Sequence, residues 1–144
     1  MRPRQAYPTT RYHATPLADL SDRAERERLS PAALRAFFNI MARWKVRDED
    51  ARALLGGVTN GPFYAMKKNP ERTLEPDRLA RISYLIGIFK ALNILYSEPL
   101  ADAWMQRANA NDIFGGRTPL DYLIAGGLPA MQVVRRLLDA RRAG

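Results

Sequence analysis

The chain has 144 residues, no cysteine and a single histidine, His13. That excludes a disulfide scaffold, thiolate zinc sites, a cysteine nucleophile and a His-dependent triad or metal cluster. Lys+Arg number 23 against 15 Asp+Glu, a formal +8, and Lys45, Lys67, Lys68 and Lys90 are the only lysines. The expected partner is therefore anionic: nucleic acid, a membrane surface or an acidic protein, with arginine suited to forked contacts with phosphate or carboxylate.

At this length one domain, or one core with an appendage, is expected. Met1 to Leu20 contains Pro3, Pro8 and Pro16 and no apolar period. With the charged residues that follow, it reads as an arm over 1–28. The arm is either a solubilising tail or a means for Arg2, Arg4 and Arg11 to touch a phosphate backbone; His13 reads as an exposed tail residue. Asp22 to Arg28 is a short charged segment, at most the beginning of a helix. The N-terminus lacks the apolar stretch of a signal peptide. The most apolar run, Ile82 to Tyr96, is short for a bilayer and carries Lys90, so a cytoplasmic protein with no membrane partner is expected.

From Ser30 on, the chain reads as successive helices. Ser30-Pro31 has the form of an N-cap and first helical residue. Leu34, Phe37, Phe38, Met41 and Trp44 then form one apolar face. Asp48 is expected to cap a short helix that stops at Gly56-Gly57. Thr59 is expected to cap a third, with Pro62 in its first turn, ended by Asn69-Pro70. Pro76 opens a long helix whose Leu79, Ile82, Leu85, Ile86, Phe89, Leu92 and Leu95 make a stripe wide enough for burial on most sides. That stripe fits either a dimer contact or the core of a monomer. Ser97 caps a helix carrying Leu100, Ala103 and Trp104. Asn109 to Gly116 reads as a loop, Thr118-Pro119 opens a helix ending at Gly126-Gly127, and Pro129 starts the last one. In that last helix Met131, Val134, Leu137 and Leu138 face inward and Arg135, Arg136, Arg141 and Arg142 largely outward. No strand pattern appears. The expected fold is all-α with about seven helices.

Enzyme signatures are missing. There is no phosphate-loop motif, no strand-bound G-x-G-x-x-G and no H-E-x-x-H. The glycine pairs read as helix ends, and Asp48 with Asp50 sits where the helix dipole favours carboxylates. Neither catalysis nor a cofactor is expected. The two short helices joined by a Gly turn instead have the outline of a helix-turn-helix. On that reading Thr59, Asn60, Phe63 and Tyr64 approach base edges, and Lys67, Lys68 and Arg72 neutralise phosphates. The same pattern also fits an ordinary helix pair, with Thr59 a cap and Phe63 and Met66 in the core. Gly61-Pro62 is an unusual start for a recognition helix. Further on, Ile113 to Leu123 mixes aromatics, turn glycines and charges. Phe114, Leu120 and Tyr122 there either pack the last helices together or form a partner-binding face.

The run Asn111-Asp112-Ile113-Phe114-Gly115-Gly116-Arg117-Thr118-Pro119-Leu120 resembles the hallmark of the MbcA/ParS/Xre antitoxins. Gly126-Gly127, the ending Val133 to Arg141 and the upstream order of helix-turn-helix, long apolar helix and Glu98-Pro99 helix with Trp104 fit the same family. The resemblance covers Leu29 to Gly144. It implies an antitoxin of a type II toxin–antitoxin pair whose usual partner is a RES-domain toxin that degrades NAD⁺. It implies a helix-turn-helix and dimerisation region over 29–96 that binds operator DNA as a homodimer and autorepresses, and a toxin-binding part over 97–144. The toxin face would include Phe114, Arg117, Asp121, Tyr122, Arg135, Arg136, Arg141 and Arg142, with Arg141, Arg142 and Gly144 reaching the toxin's cleft. Charge agrees with both roles. Between Lys45 and Arg72 six basic residues stand against four acidic, and from Met131 to Gly144 four arginines stand against Asp139. Two rival readings stay open: a stand-alone helix-turn-helix regulator without a toxin, and an adaptor without DNA affinity.

Overall fold

A computed structural model describes residues 18–144. Arg2, Arg4, Arg11 and His13 of the expected arm lie outside the described residues. The described regular structure is helical throughout: α1 (Arg23–Trp44), α2 (Asp48–Leu54), α3 (Asn60–Lys68), α4 (Pro76–Leu95), α5 (Glu98–Ala103) and α6 (Pro119–Ala143), with 3-10 turns at Trp104–Gln106 and Asp112–Phe114. Helix α6 is broken by Gly127, whose backbone (φ 63°, ψ −144°) is non-helical. Two helical arms of α6 together with α1–α5 account for the expected count of about seven.

The first helix departs from expectation. It begins at Arg23, capped by the Asp22 carboxylate, which accepts from the Ala24 amide at 3.1 Å. It then runs through Pro31. Residues 23–28 are thus helix rather than arm, and Ser30 is not a cap but a fully buried interior residue. An interior proline removes a helix hydrogen bond, so the helix needs support from elsewhere. Tertiary bonds supply it. The Arg26 guanidinium donates to the Leu20 carbonyl (2.9 Å) and the Leu74 carbonyl (3.1 Å). The Ser30 hydroxyl donates to the Arg26 carbonyl (2.6 Å) and accepts from the buried Leu74 amide (2.9 Å).

Other boundaries follow local chemistry. Asp48 is the first residue of α2 rather than its cap, which is Arg47. There its charge still meets the positive end of the helix dipole. Gly56 (φ 97°) and Gly57 (φ 91°) end α2, a conformation that glycine adopts without strain. Pro76 opens α4, where its missing N–H is not needed.

Helix α4 lies at the centre and packs on α1, α5 and α6. Its Leu79, Ile82, Leu85, Ile88, Ala91 and Leu92 are buried against them. The wide apolar stripe is therefore used within the chain's own core. One hydrophobic cluster joins Phe37 and Trp44 of α1, Phe63 of α3, Ile82 and Ile88 of α4, Phe114, and Leu123 and Val134 of α6. Helix α5 faces inward through Ala101 and, one turn on, Met105, while Leu100, one of the residues expected on this helix, is 50% exposed. A periodicity window only two turns long could not phase that helix.

Candidate functional site

The α2–α3 pair is built around a tight connection. The amides of Gly57 and Val58 both return to the Arg52 carbonyl (2.9 and 3.2 Å). Leu55 and Val58 are buried and fasten the turn to the core. Helix α3 then buries Phe63 and Met66 and exposes the opposite face. Of the residues expected to approach DNA, Thr59, Asn60, Tyr64, Lys67 and Lys68 are on the surface and Phe63 is not. Thr59 occupies the cap position but makes no side-chain cap bond, so its hydroxyl stays uncommitted. Pro62 falls in the first turn, where amides lack helical partners in any case. Arg72 lies beyond α3, half-buried, with Nε donating to the Asn69 carbonyl at 3.2 Å.

Asp48 modifies this face. Its carboxylate accepts from the Tyr64 hydroxyl at 2.8 Å and pairs with Lys67 Nζ at 3.5 Å. The hydrogen bond holds the Tyr64 phenol above its ordinary pKa, aided by the negative charge beside it. Two expected DNA contacts are thereby tethered to an acid, and Lys68 remains without an ion pair. No local sequence signal links Asp48 to Tyr64, because the angle between α2 and α3 sets that contact.

At the other end, several positions of the Asn111–Leu120 run have structural duties. The Asn111 side chain accepts from the Ile113 amide at 3.1 Å. Phe114 is wholly buried, edge-to-face with Trp104 (centroids 5.8 Å apart) and Tyr122 (5.3 Å). Gly115 and Gly116 take positive φ, and the Thr118 hydroxyl accepts from the Asp121 amide at 3.1 Å. Phe114 therefore offers no surface to a partner; it holds the turn. Arg117 and Asp121 are exposed and Tyr122 half-exposed. The Arg117 guanidinium lies 5.8 Å from the Tyr122 ring centre.

The four C-terminal arginines are not equivalent. Arg135 Nε donates to both carboxylate oxygens of Asp139 (3.0 and 3.2 Å), and its guanidinium rests where a side chain on Gly87 would sit. Close approach of α4 and α6 thus depends on that glycine, and Arg135 is part of the helix interface rather than a free outward cation. Arg142 also reaches Asp139, at 3.7 Å. Arg141 donates to the Tyr96 hydroxyl at 3.1 Å, while Arg136 and Gly144 are exposed. The charge free for a partner is therefore Arg136 and Arg141 more than Arg135 and Arg142.

Arg81 links α2 and α6. Held by Asp77 at 2.8 Å, its guanidinium lies against both the Gly56 turn after α2 and the Gly127 break in α6. Sequence reading did not single it out. Among the described residues no helix is long and apolar enough to cross a membrane.

Residues 91–144 match a family described as the antitoxin Xre/MbcA/ParS C-terminal toxin-binding domain. A Sinorhizobium fredii (strain NBRC 101917 / NGR234) protein, the uncharacterized protein y4oB, is similar: 40% identical over 115 residues, which covers 79% of this chain and 87% of the relative. No solved structure matches the chain.

Proposed function

The chain belongs to the Xre/MbcA/ParS antitoxin family, and from that premise we propose that it binds and inhibits a RES-domain, NAD⁺-degrading toxin in the cytoplasm. The reaction belongs to the toxin; the antitoxin acts by occupancy and uses no cofactor. The observation that carries this reading is the match of residues 91–144 to a toxin-binding domain that ends in a basic helix with Arg136 and Arg141 unpaired by carboxylate. A cleft shaped for an anionic dinucleotide favours such guanidinium groups. The toxin face proposed here is Arg117, Asp121, Tyr122, Arg136, Arg141 and Gly144, with Arg135 and Arg142 positioned behind it through Asp139.

A second role, autorepression, is favoured by the exposed face of α3. Thr59, Asn60 and Lys68 are free to meet DNA, with Tyr64 and Lys67 set by Asp48 and Arg72 at the margin. We place this binding in a homodimer, which doubles the recognition helix across two half-sites.

The test is co-expression with the neighbouring open reading frame, following growth and cellular NAD⁺. The neighbour alone should arrest growth and deplete NAD⁺, and the full chain should relieve both. Deleting Arg141 to Gly144 should abolish relief. That cut spares Leu138, which is fully buried, so the fold survives it. No arrest by the neighbour, or full relief by the shortened chain, refutes the mechanism and leaves the stand-alone regulator. For DNA, affinity for the upstream promoter should fall steeply with salt, with a log–log slope of about −0.9 per phosphate neutralised. Asn60→Ala with Lys68→Ala should weaken it, and indifference to that pair favours the adaptor without DNA affinity.

A further inference from the structure

Helix α5 and the 3-10 turn after it show three faces, each repeating every four residues. Ala101 and Met105 are buried in the core. Glu98, Asp102 and Gln106 clip the helix onto the end of α1: Arg43 pairs with Glu98 (3.6 Å) and Asp102 (2.9 Å), and the Gln106 amide donates to the Lys45 carbonyl (2.9 Å). The third face, Leu100 and Trp104, has no such engagement toward solvent. With Tyr96 and Arg107 it lines an open groove of about 290 Å³. Leu100 is 50% exposed, and Ile94 just upstream is 62% exposed. A large apolar side chain left open beside a shaped groove is a mark of an interaction site.

What occupies the groove follows from where it lies and what rims it. Every lining residue, from Tyr96 to Asn109, falls within the residues 91–144 that match a toxin-binding domain. The neighbouring groove shares Arg107 but also draws on Arg43, Trp44 and Lys45 of α1 and its end, outside that stretch. The rim is basic. Arg107 is exposed and makes no ion pair, and Arg141 donates to the Tyr96 hydroxyl at 3.1 Å, which makes the groove continuous with the C-terminal end of α6. We infer that the Tyr96–Leu100–Trp104 groove receives a segment of the toxin that carries an apolar side chain next to a carboxylate. The apolar group covers Leu100 and Trp104, and the carboxylate meets Arg107. This rests on the toxin-binding reading and adds an anchor to the face of Arg117, Asp121, Tyr122, Arg136 and Arg141. An apolar anchor ringed by a charged rim is the arrangement that concentrates binding energy at protein interfaces.

The experiment measures binding of full-length variants to the purified toxin encoded by the adjacent open reading frame, with light scattering of each free variant. Leu100→Arg stays solvated in the free chain but puts a cation into the groove beside Arg107 in the complex. It should weaken binding by about a hundredfold, whereas Leu100→Met keeps wild-type affinity within about threefold. Arg107→Ala should weaken binding by about tenfold and flatten its dependence on salt. Unchanged circular dichroism and melting would confirm that Leu100→Arg folds. Wild type binding with Leu100→Arg equally tight overturns the groove and leaves the toxin-binding reading intact. No binding by wild type overturns both. If Leu100→Arg halves the mass of the free chain, the occupant is a second copy and the proposal fails.

Discussion

Replacing Ser30 separates two physical descriptions of the same residue. As a helix cap, Ser30 would be exposed; Asp or Asn would serve as well, and Gly would cost only a few tenths of a kcal/mol. In the structure it is buried in mid-helix, with its hydroxyl bridging the Arg26 carbonyl (2.6 Å) and the Leu74 amide (2.9 Å). Ser30→Ala leaves the Arg26 carbonyl its place in the helix ladder but strands a buried amide at Leu74. A stranded donor costs about 1–3 kcal/mol, so we expect about 2 kcal/mol. With a urea m-value of about 1–3 kcal/mol/M, the unfolding midpoint should fall by about 1 M. Ser30→Asp should cost more than Ser30→Ala, because a carboxylate enters an enclosed site, cannot donate to the Arg26 carbonyl, and meets an Arg26 guanidinium already committed to the Leu20 and Leu74 carbonyls. Ser30→Gly should add about 1 kcal/mol of helix propensity to the alanine loss. Urea unfolding followed by circular dichroism, at one protein concentration, reads all three. An aspartate variant within about 0.5 kcal/mol of wild type would refute the buried bridge and restore the cap.

Further consequences can be checked on the same material. Phe114→Ala should lose about 3–5 kcal/mol of stability by emptying the site between Trp104 and Tyr122, and Phe114→Leu clearly less; equal losses would mean that the ring packing is not what holds the turn. Gly127→Ala forces a side chain onto φ 63°, ψ −144°, a region essentially confined to glycine, at a cost of about 1–3 kcal/mol; an unchanged melting temperature would show that α6 is straight. Tyr64 should titrate above its ordinary value of 10.0 when followed by ultraviolet absorbance, and Asp48→Asn should bring it down. Because the folded value is raised, the bond's contribution to stability is present below pH 10.0 and lost as pH rises through the folded value; a Tyr64 titration indifferent to Asp48 refutes the tether.

Much of this protein was settled along the chain. Periodicity, proline positions and glycine pairs are local signals, so the all-α class, the long central helix from Pro76 and the stops at Gly56 and Asn69 could be read without a structure. The Asn111–Leu120 run was legible for a related reason: a buried Phe, two glycines at positive φ and a Thr cap answer to demands made within ten residues of one another.

Tertiary structure decided what depends on partners far apart in sequence. Ser30-Pro31 has the local form of a helix start, yet bonds from Arg26 and Ser30 to Leu74 carry α1 straight through it. Arg135 has the composition of a free cation, yet a glycine at 87 gives it a seat against α4. Lys67 and Tyr64 have the pattern of a recognition helix, and the packing of α2 brings Asp48 to them. On α5, the sequence offers two apolar four-residue repeats, Ala101 with Met105 and Leu100 with Trp104, and only the placement of α1 and the core leaves Leu100 outside. A sequence states which side chains are apolar or charged; which of them find partners depends on the distances and angles between helices, and those are set by the packing of the whole chain.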